Sequence, residues 1–203
     1  MARKKDKADI RKKEILEHFQ IVLVEEGIEG ASIGKIAASI GIHPSLIIHY
    51  FKNKEEMTVA LVEHILQKYE TTFAKNLDRI QTPRQRLDAL LNIVFGIDWI
   101  SLVDTQAFYA CYYLCFRNKR VKIKFQEMYK RFKFYLSNEI QLCLDEGIIK
   151  NADPERDADL IIALVEGLSF YRNISGGRRK YSELGKYLKS RALEILSVKP
   201  TSS

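Results

Sequence analysis

The sequence predicts an all-α protein of about nine helices, in which a small N-terminal helix-turn-helix domain is joined by one long helix to a larger helical body. Two observations carry this prediction. Apolar residues recur at helical spacing along nearly the whole chain, with no sustained alternation of period two and no glycine-rich hairpin signal. The helical stretches are separated by helix-starting and helix-stopping residues, with Ser, Thr or Asp ahead and Gly behind. With 203 residues, 46% apolar and 10% aromatic, the chain is long enough to bury a real core. Its longest apolar runs, such as Ile21-Val22-Leu23-Val24, fall far below the roughly 20 residues of a membrane span, so no transmembrane helix is expected.

The first helix is expected over Asp9–Glu26, with Ile10, Ile15, Phe19, Val22 and Leu23 as its inward stripe and Gly27 as its stop. Two helices of barely two turns follow, Ile33–Ile40 and Pro44–Tyr50, joined at Gly41. A long helix, Lys54–Leu77, then links head to body, with Met57, Leu61, His64 or Ile65, and Lys68 or Tyr69 on successive turns. In the body, Thr82 caps a helix opened by Pro83 and running to Phe95. Further helices are read over Asp98–Cys115, Lys119–Glu146 (stopped by Gly147), Pro154–Arg172 (capped by Asp153) and Tyr181–Leu196, the last two separated by the break Ser175–Arg179. The domain boundary falls between residues 1–53 and 54–203.

The formal charge is +7, and it is unevenly spread. Residues 3–13 hold seven Lys or Arg against Asp6 and Asp9, a basic arm that by itself reads as a solvated tail. No apolar h-region follows it, so a cytoplasmic location is expected. Cys111, Cys115 and Cys143 are an odd set, read as reduced, buried thiols. Cys111 and Cys115, four apart, leave a metal or redox reading as the weaker alternative. The chain holds no CxxC, HExxH, GxSxG or P-loop pattern, and His18, His43, His49 and His64 have no metal spacing. Neither an enzyme nor a metal or other cofactor is expected.

Short isolated helices are marginal, because nucleation is costly. Something outside the pair must therefore use Ile33–Ile40 and Pro44–Tyr50. Ser32 caps the first, whose Ile33, Ile36, Ala37 and Ile40 form one stripe, and Gly41 can adopt the left-handed conformation that ends it. Ile42 plugs the corner, and Ile47 and Phe51 point back at the stripe, which makes a helix-turn-helix. A DNA major groove admits one helix, and the first turn of that helix meets the base edges. The outward positions there are His43, Pro44, Ser45 and Leu46: the His and Ser can hydrogen-bond to bases, and Leu46 can pack on a thymine methyl. His49, Tyr50 and Lys54 can reach phosphates.

Ser32–Met57 resembles the DNA-binding signature of the TetR family of bacterial transcription regulators, most of which are repressors. The Gly-aliphatic turn, the aliphatic-x-x-Tyr-Phe ending at Ile47–Phe51, and "KNKEEM" opening the linking helix carry the resemblance. It implies DNA contacts at Ser32, Ser45, His49, Tyr50 and Lys54. Two positions depart from the pattern, since the family often has Ser or Thr where His43 stands and Tyr where Ile48 stands. One usual phosphate contact is thereby missing, and the family's base code does not transfer.

Residues 95–132 are rich in aromatics that can line an apolar cavity or simply form core: Phe95, Trp99, Phe108, Tyr109, Tyr112, Tyr113, Phe125 and Tyr129, with Met128 among them. Phe170 joins this candidate pocket set. Residues 83–175 are similar to the C-terminal domain of the BetI-like subgroup, above all at "ADLIIALVEGLSFYRNIS", Ala158–Ser175. That likeness implies an effector pocket and a homodimer, but leaves the effector open among apolar, aromatic and quaternary ammonium compounds. Reading two half-sites one DNA turn apart, roughly 34 Å, also calls for a symmetric pair. Candidate dimer positions are Ile161, Ile162, Val165 and Leu168 on one helix and Leu184, Leu188 and Ile195 on the next. The basic run Arg117–Lys133, eight Lys or Arg against one Glu, reads as the solvated face of a half-buried helix. The expected partners are thus palindromic double-stranded DNA, a second copy of the chain and a small-molecule effector, and no membrane. Two other readings stay open: a DNA-binding protein governed by a protein partner, and a helical carrier or enzyme with an incidental head.

Overall fold

The computed structural model describes residues 2–77, 80–96, 105–175 and 178–196. Nine α-helices run through them: α1 (Ala2–Gly30), α2 (Ile33–Ile40), α3 (Pro44–Phe51), α4 (Lys54–Leu77), α5 (Pro83–Phe95), α6 (Thr105–Tyr113, followed by a 3-10 turn at Leu114–Phe116), α7 (Lys119–Asp145), α8 (Pro154–Ser175) and α9 (Arg178–Ile195). The all-α fold is the predicted one, and no β-strand occurs among the described residues. The expected start of the sixth helix at Asp98 lies outside them. The chain divides into two units, residues 1–69 with 104–127 and residues 70–103 with 128–203, so α4 and α7 contribute to both.

In the first unit, α1 starts at Ala2 rather than Asp9. Ala, Lys and Arg are strong helix formers, and the pairs Arg11–Glu14 (2.7 Å) and Lys13–Glu17 (3.9 Å) support the turns that follow. The basic arm is therefore helical. Ile15, Leu16, Phe19, Val22 and Leu23 are buried, but Ile10 is 68% exposed. Five residues from Ile15, it stands about 140° round the helix from the inward stripe. The α1 core residues share the interior with Ile36 and Ala37 of α2, Ile47 and Phe51 of α3, and Met57, Leu61, Val62 and Ile65 of α4.

The acidic side of α4 meets the basic run at the start of α7. Arg120 holds both Glu56 oxygens at 2.6 and 3.0 Å, Lys124 donates to Glu63 at 3.0 Å, and Asn118 to Glu55 at 3.1 Å. The run is thus a half-buried helix, as its spacing predicts, but several of its cations face carboxylates of neighbouring helices rather than water alone.

In the second unit, Leu87, Leu90, Leu91, Val94 and Phe95 of α5 pack with Leu136 and Ile140 of α7, and with Ala158, Ile161, Val165 and Leu168 of α8. From α9 and its end come Tyr181, Ala192 and Leu196. α9 lies so close on α5 that a Cβ at Gly185 would stand 2.2 Å from the Phe95 carbonyl oxygen. Arg86 ties α5 to α7 by bonding both oxygens of Glu139 at 2.9 Å. Further along α7, Arg131 donates to Glu70 at 2.6 Å and Lys133 to Asp159 at 2.7 Å.

Candidate nucleic-acid interface

The head is built from local caps. Ser32 Oγ accepts the Lys35 amide at 3.2 Å and so starts α2. At the other end Gly41 adopts φ 76°, and its amide and that of Ile42 return to the carbonyls of the last α2 turn. This reverses the chain in three residues and delivers α3 with Ile47 and Phe51 inward. On the opposite side His43, Ser45, Ile48 and His49 are exposed, while Leu46 and Tyr50 are half-buried. The residues assigned to base edges therefore share one accessible end of α3, with Pro44 at its first position.

His43 is itself the cap of α3. Its Nδ1 accepts the Ser45 amide at 3.3 Å and lies 2.8 Å from Ser45 Oγ. His49 and Tyr50 meet edge to face, with ring centroids 5.5 Å apart.

The corner after α3 is tight. Lys52 has φ 62° and ψ −52°, and the Asn53 amide donates to the Phe51 carbonyl at 2.6 Å, a γ-turn centred on a residue with a β-carbon. Asn53 then caps α4 by accepting the Glu56 amide at 2.8 Å. Lys54 does not simply extend outward: its ammonium donates to the Ile28 carbonyl at 2.8 Å, fastening the end of α1, just past its break at Gly27 (φ 70°), to the start of α4. Nothing in the sequence marks that backbone acceptor.

Electrostatics fix two further groups in this unit. The Arg120 guanidinium, by its hydrogen bond, holds the Glu56 carboxyl below its ordinary value. His64 is held below 6.5 by burial and by Lys68 and Lys13, against the opposing pull of Glu17. Its Nε2 is buried without a hydrogen-bond partner.

The candidate pocket residues of the body fall into both units. Phe108 and Phe125 are buried in the first, where Phe108 contacts the rings of Tyr109, Tyr112 and Phe125, with centroids 5.6, 6.4 and 5.3 Å away. Tyr113 is an exposed residue, with the Arg117 guanidinium 5.1 Å from its ring centroid. Phe95 belongs to the core of the second unit, and Phe170 is 60% exposed. Trp99 lies outside the described residues. Met128 and Tyr129 are half-buried in the second unit. Tyr129 hydrogen-bonds to Glu166, whose carboxyl is pushed up by burial. Sequence reasoning passed over Glu166, although a single carboxylate inside "LIIALVEGLSF" is a visible signal.

Of the candidate dimer positions, Ile161, Val165 and Leu168 are buried in the chain's own core, Ile162, Leu184 and Leu188 pack against it, and Ile195 alone of the seven is exposed. Beside Ile195, α8 leaves Leu160, Phe170, Tyr171 and Ile174 exposed, and α9 leaves Tyr187. No disulfide joins the three cysteines; Cys111 and Cys143 are buried, Cys115 is half-buried rather than buried, and burial pushes the Cys143 thiol up to about 11. Among the described residues no group of His, Cys, Asp or Glu could hold a metal ion, and no helix is long and apolar enough to cross a membrane.

Comparison with known proteins places these features. Residues 21–61 match the family model described as "Bacterial regulatory proteins, tetR family", and residues 82–198 match "Tetracyclin repressor-like, C-terminal domain". The HTH-type transcriptional regulator BetI of Rhizobium meliloti is 26% identical over 160 residues, 78% of this chain and 76% of that one. PksA of Bacillus subtilis, also an HTH-type transcriptional regulator, is 24% identical over 79% of this chain and 78% of its own length. Among solved structures, a TetR family regulator from Cytophaga hutchinsonii superposes with a TM-score of 0.81 at 18% identity, covering 97% of this chain and 98% of that one. A chain from Saccharomonospora viridis, solved in complex with choline, gives 0.78 at 16% identity over 95% of this chain and all of the other.

Proposed function

The chain belongs to the tetR family of bacterial regulatory proteins, and on that premise we propose that it is a homodimeric transcriptional repressor whose operator affinity is set by a small molecule bound within residues 54–203. The observation that carries the reading is the α2–α3 pair, capped at both ends and presenting His43, Ser45 and His49 on the exposed side of α3, in the same unit as the basic start of α1. His43, Pro44, Ser45 and Leu46 meet base edges, while Ser32, His49, Tyr50 and Lys54 meet the backbone. The exposed apolar face of α8, together with α9, supplies the contact between two copies, which sets the two α3 helices about one DNA turn apart.

Effector control works through α4. A ligand that prefers one tilt of α4 changes the separation of the recognition helices, and it shifts affinity only by as much as it distinguishes the two states. A coupling of about 1–3 kcal/mol changes DNA affinity roughly 5–150-fold. Glu166 favours a cationic effector: a half-buried carboxyl that burial pushes up and that Tyr129 hydrogen-bonds gains most from an organic ammonium ion. The choline held by the Saccharomonospora viridis neighbour belongs to this class.

The test is selection of bound sites from a random duplex pool at physiological salt. Recovery of a palindrome with half-sites about one turn apart supports the reading, and the recovered duplex becomes the probe for choline and other quaternary ammonium ions. No enrichment over background refutes sequence-specific binding. Unaltered affinity across those ions, in wild type and Glu166→Gln alike, refutes the cationic effector.

A further inference from the structure

An imidazole caps a helix differently from the hydroxyl common at this position, because it has a second nitrogen on the far side of the ring. At His43, Nδ1 faces the Ser45 amide at 3.3 Å. A backbone N–H only donates, so Nδ1 is an acceptor, and in the neutral ring the proton sits on Nε2. Ser45 Oγ is also 2.8 Å from Nδ1. Its one proton shares the single Nδ1 lone pair with the amide in a three-centre bond and leaves the hydroxyl's own lone pairs for other donors. Both residues are exposed at the start of α3, the turn that meets base edges.

Resting on the DNA-binding reading above, we propose that His43 and Ser45 form a hydrogen-bonded pair of fixed polarity that reads the operator, with His43 Nε2–H as donor and Ser45 Oγ as acceptor. His43 therefore selects a base edge that offers an acceptor: a purine N7, guanine O6 or thymine O4. Ser45 selects an amino group, adenine N6 or cytosine N4. A lone hydroxyl rotates and serves either sense, whereas the cap removes that freedom here.

Two substitutions separate the ring nitrogens. Asn at position 43 caps a helix well but has no atom in the place of Nε2, while Gln carries an amide nitrogen out toward that place and caps poorly. Site selection with His43→Asn should retain thermal stability and affinity for arbitrary duplex, yet lose about 3- to 10-fold of discrimination at one position in each half-site. His43→Gln should lower Tm while keeping the acceptor preference at that position. An unchanged consensus for His43→Asn overturns the inference. A second measurement needs no variant: nitrogen-15 shifts of the His43 ring in the full-length protein report which nitrogen carries the proton. Protonated Nε2 with bare Nδ1 is expected, and the opposite tautomer overturns the assigned polarity. Failure of the wild type to enrich any site overturns the DNA-binding reading itself and this inference with it. Enrichment by wild type with an identical consensus in His43→Asn overturns only the latter.

Discussion

Replacing Lys54 by Ala removes two interactions that can be read separately. The first is internal: the ammonium donates to the Ile28 carbonyl at 2.8 Å. A hydrogen bond from a charged group contributes about 1.5–3 kcal/mol, and since Lys54 is only half-buried, water compensates part of this. About 1 kcal/mol is expected to remain, which at this chain length lowers Tm by roughly 2–4 °C. The second interaction is the proposed one with DNA. A lysine ammonium has three N–H groups, and the two that Ile28 does not use can meet a phosphate. Each lost phosphate contact flattens the dependence of log K on log salt by about 0.9, or about 1.8 for two protomers. Thermal unfolding measures the first effect, and fluorescence anisotropy on a selected operator across a salt series measures the second. A fall in Tm with an unchanged salt slope would refute the phosphate contact and leave Lys54 as a fastening of the head alone. The Lys54→Met variant, which keeps the apolar stem, shows whether lost packing rather than the lost ammonium lowers Tm.

Three other outcomes are expected. Arg120→Glu sets a second carboxylate against that of Glu56 and should lower Tm, while adding Glu56→Arg should restore it; no recovery in the double variant would show that the pair does not act as a unit. His64 is held below 6.5 by burial, so as pH falls the unfolded chain takes up that proton first; stability is full above about 6.5 and declines below it until the folded-state value is passed. Tm measured against pH should flatten in that window for His64→Gln, and coincident curves would refute the assignment. Ile174→Asp, at a side chain 70% exposed on α8, should convert dimer to monomer in sedimentation and weaken operator binding without unfolding the chain. A dimer that persists would move the interface elsewhere.

The head was legible in the sequence because its boundaries are local chemistry. Ser32, Gly41 and Pro44 each act within one turn of where they stand, and α2 and α3 begin where those residues predict. The face of α8 was not legible, because that helix is apolar on two opposite sides. Ile161 and Val165 point into the core and Leu160 and Ile174 away from it, and no period distinguishes the two sets. Tertiary partners left no trace either. The acceptor for Lys54 is a backbone carbonyl, and the companion of Glu166 is a tyrosine on another helix. The turn at Lys52 was invisible for a different reason: its backbone angles favour glycine or asparagine, and the sequence puts a lysine there.

In the proposed dimer on its operator, that turn makes the protein a gauge of length. Its corner is a single residue, closed by one short hydrogen bond, and has no slack with which to let α3 reach sideways. One extra base pair between two half-sites moves the second by about 3.4 Å along the duplex and turns it by roughly 35°. A flexible joint would absorb part of that displacement. With Lys52 holding the corner, the mismatch falls on the duplex or on the pairing of the two protomers, both far stiffer, and the spacing of an operator becomes as much a part of its identity as its bases.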